Sequence, residues 1–266
     1  MKVDVLDLEG KPIEKIELPE VFKTPIREDL ILRAFLATMS RKRQPYGADV
    51  LAGLRTAAHY HGYRRHRYRM MNIERARLPR LHGKTVPFLN LAARIVPQAV
   101  KGREAHPPKV EKIWEQKIND KERKKAIQSA IAATAVKELV QKRGHRVEDL
   151  KFLPIVVEDK IQEISKTAQL VEFLKKIGLK KEMERIKEKK IRAGKGKARG
   201  RRYKRKVGIL FVITEDKGIG KAVKNLPGCH VCRVENLSTI YLAPGSQPGR
   251  LTIFTKSSIE KLEKLK

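Results

Sequence analysis

Between Arg41 and about Lys117 the chain shows no sustained helical or alternating apolar period, and this stretch constrains the fold more than any other feature. Pro45, Pro79, Pro87, Pro97, Pro107 and Pro108 punctuate it, with glycines at 47, 53, 62, 83 and 102. Only Ala48 to Ala58 hints at a short helix. Structureless loops beyond about 12–15 residues are uncommon inside a compact domain and are usually functional or disordered. A segment this polar cannot bury enough apolar surface to offset its own ordering entropy. The pattern predicts a globular body, residues 1–40 and 110–266, with an extended arm, residues 41–109, inserted in it and ordered only against a partner. About thirty residues out and back would span on the order of 100 Å if fully extended.

The placement of charge says what that partner is. The chain carries 61 Lys and Arg against 30 Asp and Glu, a net charge of +31. The arm holds 16 cations against three acids (Asp49, Glu74, Glu104), and residues 187–206 hold 12 against Glu188, so two segments carry 24 of the 31 surplus charges. A charge run is ordinarily just a solvated face. This arm is internal and Arg-rich, and it interleaves rings: Tyr46, His59, Tyr60, His61, Tyr63, His66, Tyr68, His82 and Phe88. Guanidinium forks match phosphates and stack on bases, and rings stack on unpaired bases. Neutralising phosphates also releases counterions. Nucleic acid is therefore the expected polyanion. A membrane is disfavoured, since no apolar run approaches the roughly 20 residues of a spanning helix. The start, MKVDVLDLEG, lacks a secretory leader's pattern, so the expected setting is intracellular.

The rest of the chain reads as an α/β body. Residues 3–8 and 13–18 read as strands around Gly10-Lys11-Pro12, and residues 26–40 as a helix facing the core through Leu32, Phe35, Leu36 and Met39. A helix is expected from Asp120 to about Arg143, stopped by Gly144, with alanines for close packing. Leu153–Val157, Val207–Ile213, Cys229–Val234 and Leu251–Phe254 read as strands. Helices are expected at 166–177 (stopped by Gly178), 180–190, 217–226 and from Ser257 to about Leu265, the last with a Ser257/Glu260 capping box. Buried strands alternating with helices predict a three-layer, Rossmann-like body with a mostly parallel sheet. The Gly/Arg/Lys tract 187–206 lies within it, where Gly194, Gly196 and Gly200 keep the chain flexible.

Catalytic and metal chemistry finds little support. Cys229-His230-Val231-Cys232 lacks the second ligand pair of a structural zinc site and lies in a strand, so packing is the better reading. His59 and His61 have chelating spacing, but the surrounding guanidiniums repel a cation. Gly218-Ile219-Gly220-Lys221 lacks the full phosphate-loop pattern and reads as a turn before a helix. No cofactor is expected. Two rival readings are an RNA-modifying enzyme, methyltransferase-like with basic extensions, and a general nucleic-acid-packaging protein. The first would need a glycine-rich loop after the first strand, where Leu8-Glu9-Gly10-Lys11-Pro12 is a poor one.

Several long segments carry a resemblance: RKRQPYGADVLAGL at 41–54, RLPRLHG at 77–83, RIVPQAVKGREAHPPK at 94–109, NDKERKKAIQSAIAATA at 119–135, RGH at 143–145, RAGKGKARGRR at 192–202 and NLSTIYLAPGSQPGRLTIFT at 236–255. In this order, over essentially the whole chain, they resemble the large-subunit ribosomal protein four family in its archaeal and eukaryotic branch. That resemblance implies a structural, non-enzymatic protein of the cytoplasmic large ribosomal subunit. It implies an α/β domain on the solvent side and one long loop running through ribosomal RNA to the wall of the peptide exit tunnel. Neighbouring ribosomal proteins and the passing nascent peptide would be the other partners. Carried onto this sequence, the loop is about 41–109 with its tip between Gly62 and Arg94. Tip candidates are Arg64, Arg65, His66, Arg67, Arg80 and His82. RNA contacts are expected in the arm from Arg41, Lys42, Arg43, Tyr46, Arg55, Tyr63, Tyr68, Arg69, Arg75, Arg77, Lys84, Arg94, Lys101 and Arg103 besides the tip arginines. In the second tract they are expected from Arg192, Lys195, Lys197, Arg199, Arg201, Arg202, Lys204 and Arg205.

Overall fold

A computed structural model of the protein describes residues 2–83, 86–150 and 152–263. It separates into two compact units, Met1–Lys42 with Glu115–Lys266, and Arg43–Trp114.

The first unit is built on a six-stranded sheet. Its strands are β1 (Lys2–Leu6), β2 (Pro12–Glu17), β3 (Ile155–Val157), β6 (Leu210–Ile213), β7 (His230–Arg233) and β8 (Thr252–Thr255), in the order β2-β1-β3-β8-β6-β7. β1 and β2 form an antiparallel hairpin, and every other pairing is parallel. Strand alternation then divides the core in two. Ile155, Val157, Phe211, Ile213 and Ile253 pack on one face, and Val156, Leu210, Val212 and Phe254 on the other. The first face is covered by α4 (Thr167–Lys176), α5 (Lys180–Lys187) and α6 (Ile219–Lys224), through Leu170, Phe173, Leu174, Met183, Ile186 and Val223. The second is covered by α1 (Glu28–Arg41), α2 (Asp120–Ala135), α7 (Thr239–Leu242) and α8 (Lys256–Glu263). Strands buried on both sides are continuously apolar, as LFVI in β6 is. This is the three-layer α/β body with a mostly parallel sheet that the sequence predicts.

Local departures have physical causes. The helix expected over 120–143 is two helices, α2 and α3 (Lys137–Lys142), broken where Val136 turns extended at φ −90° and ψ 109°. The Thr134 hydroxyl donates back to Ile131 O at 2.7 Å, a bond that competes with the helical ladder. The stop at Gly144 is real, with φ +97°. On α1 the buried residues are Ile31, Ala34 and Ala37, while Leu32, Leu36 and Met39 are more than 40 % exposed, against the sequence expectation. Small residues let α1 lie against the alanine-rich α2, tied there by Arg33–Glu122 at 3.0 Å, and this turns the larger side chains outward. The final helix begins at Lys256 and lacks the expected capping box. Asp159, far away in sequence, accepts the Ser257 N–H at 3.2 Å and its hydroxyl at 2.6 Å.

The helix expected to reach residue 190 ends at Lys187. Residues Lys189–Ile191 (β4) and Tyr203–Arg205 (β5) pair antiparallel in a separate two-stranded hairpin. Gly194 and Gly200 take φ +77° and +79°, so their function is to turn the chain rather than to loosen it.

The second unit, Arg43–Trp114, is organised by turns. Among its described residues there is no α-helix and no strand, only a 3-10 turn at Pro87–Leu89 and isolated bridges His59↔Arg80 and Arg80↔Ala93. The short helix expected near 48–58 does not form. Asp49 Oδ1 accepts the Leu51 N–H at 3.1 Å, and Gly53 at φ +78° ends the turn series. Leu91, Ile95 and Lys101 also hold left-handed φ of 57°, 75° and 59°. Such conformations cost L-residues of order 1–3 kcal/mol each.

One buried charge braces the body. The Arg250 guanidinium is 1 % exposed and donates to Gly208 O and Tyr241 O at 2.8 Å, to Gly228 O at 3.1 Å and to His230 Nδ1 at 2.7 Å. Burial pulls its pKa down to about 10. Arg250→Leu would strand Gly208 O, just before β6, and Tyr241 O in α7, and would leave Gly228 O only the Gly208 N–H. Chemical denaturation should show a loss of roughly 3–5 kcal/mol; a loss below about 1 kcal/mol would contradict this bracing role.

Candidate nucleic-acid interface

The cations expected to meet RNA fall into two groups, those already engaged within the protein and those presented outward. Arg64, Arg65, Arg67, Arg75, Arg77, Lys101 and Arg103 are exposed on the second unit. Arg69 is exposed and donates to Arg64 O at 2.9 Å, and Arg55 pairs with Asp49 at 2.9 Å. Arg80 is half-buried, donating to Leu91 O and Ala76 O at 2.9 Å, with its Nε buried and unpartnered. Arg94 donates to Val100 O at 2.8 Å. Arg41 and Lys42 close α1 in the first unit, where Arg41 is held by Glu115 at 2.7 Å. Lys84 lies outside the described residues.

Several of the rings are engaged within the unit as well. Tyr68 stacks on His82 with centroids 4.6 Å apart, His61 on His66 at 3.8 Å, and His61 Nε2 lies 2.7 Å from His82 Nε2. Desolvation, then the neighbouring rings, hold His61 below the usual histidine range. One ring of the His61–His82 pair donates and the other accepts. Of the tip candidates, Arg64, Arg65 and Arg67 are exposed, whereas His66, Arg80 and His82 help pack the unit. Tyr63 is 80 % exposed and free to stack.

Sequence reasoning missed Trp114, the single tryptophan. Tyr46 stacks on it at 5.1 Å, Arg43 lies 4.1 Å over its ring and Lys112 at 4.4 Å. The two chain ends of the second unit are thus joined by stacking and cation–π attraction. A lone Trp at the far margin of a polar run was the available signal.

The basic tract is presented by the β4–β5 hairpin. Lys195, Lys197, Arg199, Arg201, Arg202, Lys204 and Arg205 are exposed, while Arg192 folds back to Arg201 O at 3.0 Å. The base of the hairpin is tied to the body by a buried network. Glu182, fully buried, accepts from Arg185 Nε and Nη2 at 2.7 Å and from the Arg146 N–H at 3.0 Å. His145 donates Nδ1–H to it at 2.7 Å, and Arg185 donates on to Val207 O at 2.6 Å. Burial holds His145 below the usual histidine range. Burial would raise the Glu182 carboxyl, but hydrogen bonds from Arg185 and His145 outweigh it and hold it low. The pair is neutral imidazole beside carboxylate.

The remaining motifs have internal uses. Cys229 packs in one core and Cys232 in the other, on opposite faces of the sheet, and burial pushes both thiols up to about 11. The Asp216 carboxylate accepts the Gly218 and Gly220 N–H groups at 3.1 and 3.0 Å, so the glycine turn is already occupied. No helix of the described residues is long and apolar enough to cross a membrane.

The first unit is thus a mostly parallel α/β body with a basic hairpin, and the second is basic and built of turns. Residues 16–265 match the ribosomal protein L4/L1 family, and the chain belongs to that family. It is 44 % identical over 264 residues to the large ribosomal subunit protein uL4 of Methanopyrus kandleri, covering 99 % of this chain and 98 % of the relative. It is 47 % identical over 267 residues to that of Archaeoglobus fulgidus, covering 98 % of each. These relatives are ribosomal proteins, not enzymes, which removes the RNA-modifying reading.

Acid should act on the buried network. Both folded-state pKa values lie below the unfolded ones, so the unfolded chain takes up protons first as pH falls. The stabilisation is complete above the ordinary histidine value of 6.5, declines below it, and declines again below 4.5. His145→Asn keeps a donor toward Glu182 and removes the first titration. Its melting temperature should fall less than wild type's between about pH 7 and about pH 5.5; equal falls would place the sensitivity elsewhere.

Proposed function

We propose that this chain is a structural constituent of the large ribosomal subunit of the cytoplasm. Its exposed guanidiniums and the β4–β5 hairpin bind large-subunit ribosomal RNA. The arm, residues 41–109, reaches the wall of the peptide exit tunnel, where the nascent peptide passes Arg64, Arg65 and Arg67. Neighbouring ribosomal proteins complete its surroundings.

The observation that carries this reading is the near-full-length similarity to ribosomal relatives in a chain whose surplus charge lies on two segments with few carboxylates of their own. In the arm, backbone strain and the scarcity of regular elements argue that phosphates supply the missing stabilisation. Prolines limit the unfolded ensemble and so reduce the ordering cost.

Binding to an in vitro transcript of archaeal large-subunit rRNA should weaken steeply with salt. For about ten engaged phosphates, the slope of log K against log salt is about −7 to −9. A slope near −1 to −2 would sink the reading. Replacing Arg64, Arg65, Arg67 and Arg69 by Gln should flatten it by about 3–4. In limited proteolysis, residues 43–114 should become protected when the transcript is added. For the tunnel, an Arg65→Cys subunit should cross-link to a stalled nascent chain, since the native cysteines are buried. Retained rRNA binding without that cross-link would remove the tunnel assignment alone.

A further inference from the structure

The β4–β5 hairpin is built in a way its own chemistry does not support. Its register sets Lys189 opposite Arg205 and Lys190 opposite Lys204. Like charges directly opposite destabilise a strand pair, and an isolated two-stranded hairpin is marginal in water. Only the Ile191–Tyr203 pair brings no repulsion. Beside this hairpin lies a cavity of about 820 Å³ within the first unit, whose wall includes Arg143, Lys189, Lys190, Lys204, Arg205 and Lys206. Glu188, the one acid on the wall among the described residues, is already bound to Lys206.

The far wall is as short of anions. Arg143 donates to Pro244 O at 2.6 Å and reaches Pro248 O at 3.5 Å, while its Nε is buried without a partner. Burial and the nearby Arg185 draw its pKa down to about 10. Arg185, also on the wall, is fixed by Glu182 and Val207 and cannot swing away. Cations from α3's end, from α5 and from both hairpin strands therefore line one space. The ring on the wall, His145, is held by Glu182, and Tyr203 of the hairpin is engaged by Lys189 at 4.4 Å and Arg202 at 5.7 Å, which favours contact with phosphate over stacking on a base.

We propose that this cavity is a phosphodiester-binding site, in which RNA backbone phosphates bridge Arg143 on the body to Lys189, Lys190 and Lys204 on the hairpin. The occupant is taken to be RNA because of the reading under Proposed function; the anion site itself stands on the geometry. Phosphates between the strands convert the cross-strand repulsions into shared attraction, so hairpin order and RNA binding are linked.

Two measurements on the full chain separate the outcomes. In the first, Lys189→Gln/Lys204→Gln/Arg205→Gln is compared with an equal-charge control, Lys11→Gln/Lys15→Gln/Lys23→Gln, on the archaeal rRNA transcript. The cavity variant should flatten the salt slope by about 2–3, and the control by less than about 1. Equal effects would overturn the cavity while leaving rRNA binding intact. In the second, acetylation of individual lysines is read by mass spectrometry with and without inorganic tripolyphosphate. Lys189, Lys190 and Lys204 should be protected over Lys11, Lys15 and Lys23. Uniform labelling, or protection by polyglutamate but not by tripolyphosphate, would refute a phosphate site. Selective protection in a wild type that ignores rRNA would uphold the site and refute the ribosomal reading.

Discussion

A guanidinium removed from water has to be answered by electron-rich atoms, and the protein answers its cations in two different ways. Inside the body the answer is internal. Arg250 directs its donors to Gly208 O, to Tyr241 O in α7 and to His230, and Arg185 to Glu182 and Val207. Across the hairpin and the arm many cations have no such answer, and some face one another. The central strands β3, β6 and β8 can be regular and dry because they carry no charged residue. The basic segments stay short of regular structure because little within the chain can compensate them. An ordinary α/β core and a highly charged surface are thus two sides of one partition.

Most of the body was legible because its signals are local. Continuous apolar runs such as LPIVV and VGILFVI give buried strands, and the glycines at 144 and 178 end helices where expected. What sequence alone could not give depended on partners distant along the chain. Leu32, Leu36 and Met39 have helical spacing, yet which stripe faces inward was decided by the alanines of α2. Ser257 and Glu260 have the spacing of a capping box, yet Asp159 holds that helix end.

The candidate interface divides along the same line. That the arm and the 187–206 tract would be basic and rich in turns could be read from composition. Which cations remain outward could not, because Arg80 and Arg94 are consumed by carbonyls that only the folded turns bring near. The hairpin was missed because three alternating residues on each side of a glycine-bounded loop look like flexible sequence. Arg143 was missed because it lies outside both charge runs and joins the cavity only through the fold.

Trp114 gives the molecule an optical consequence. It is the sole indole, and its ring is flanked by Tyr46 and covered by Arg43 and Lys112. A cation held against an indole shifts its emission. The intrinsic fluorescence of the unlabelled protein therefore comes from the place where the turn-built unit begins and ends, and every other part of the chain is dark by comparison.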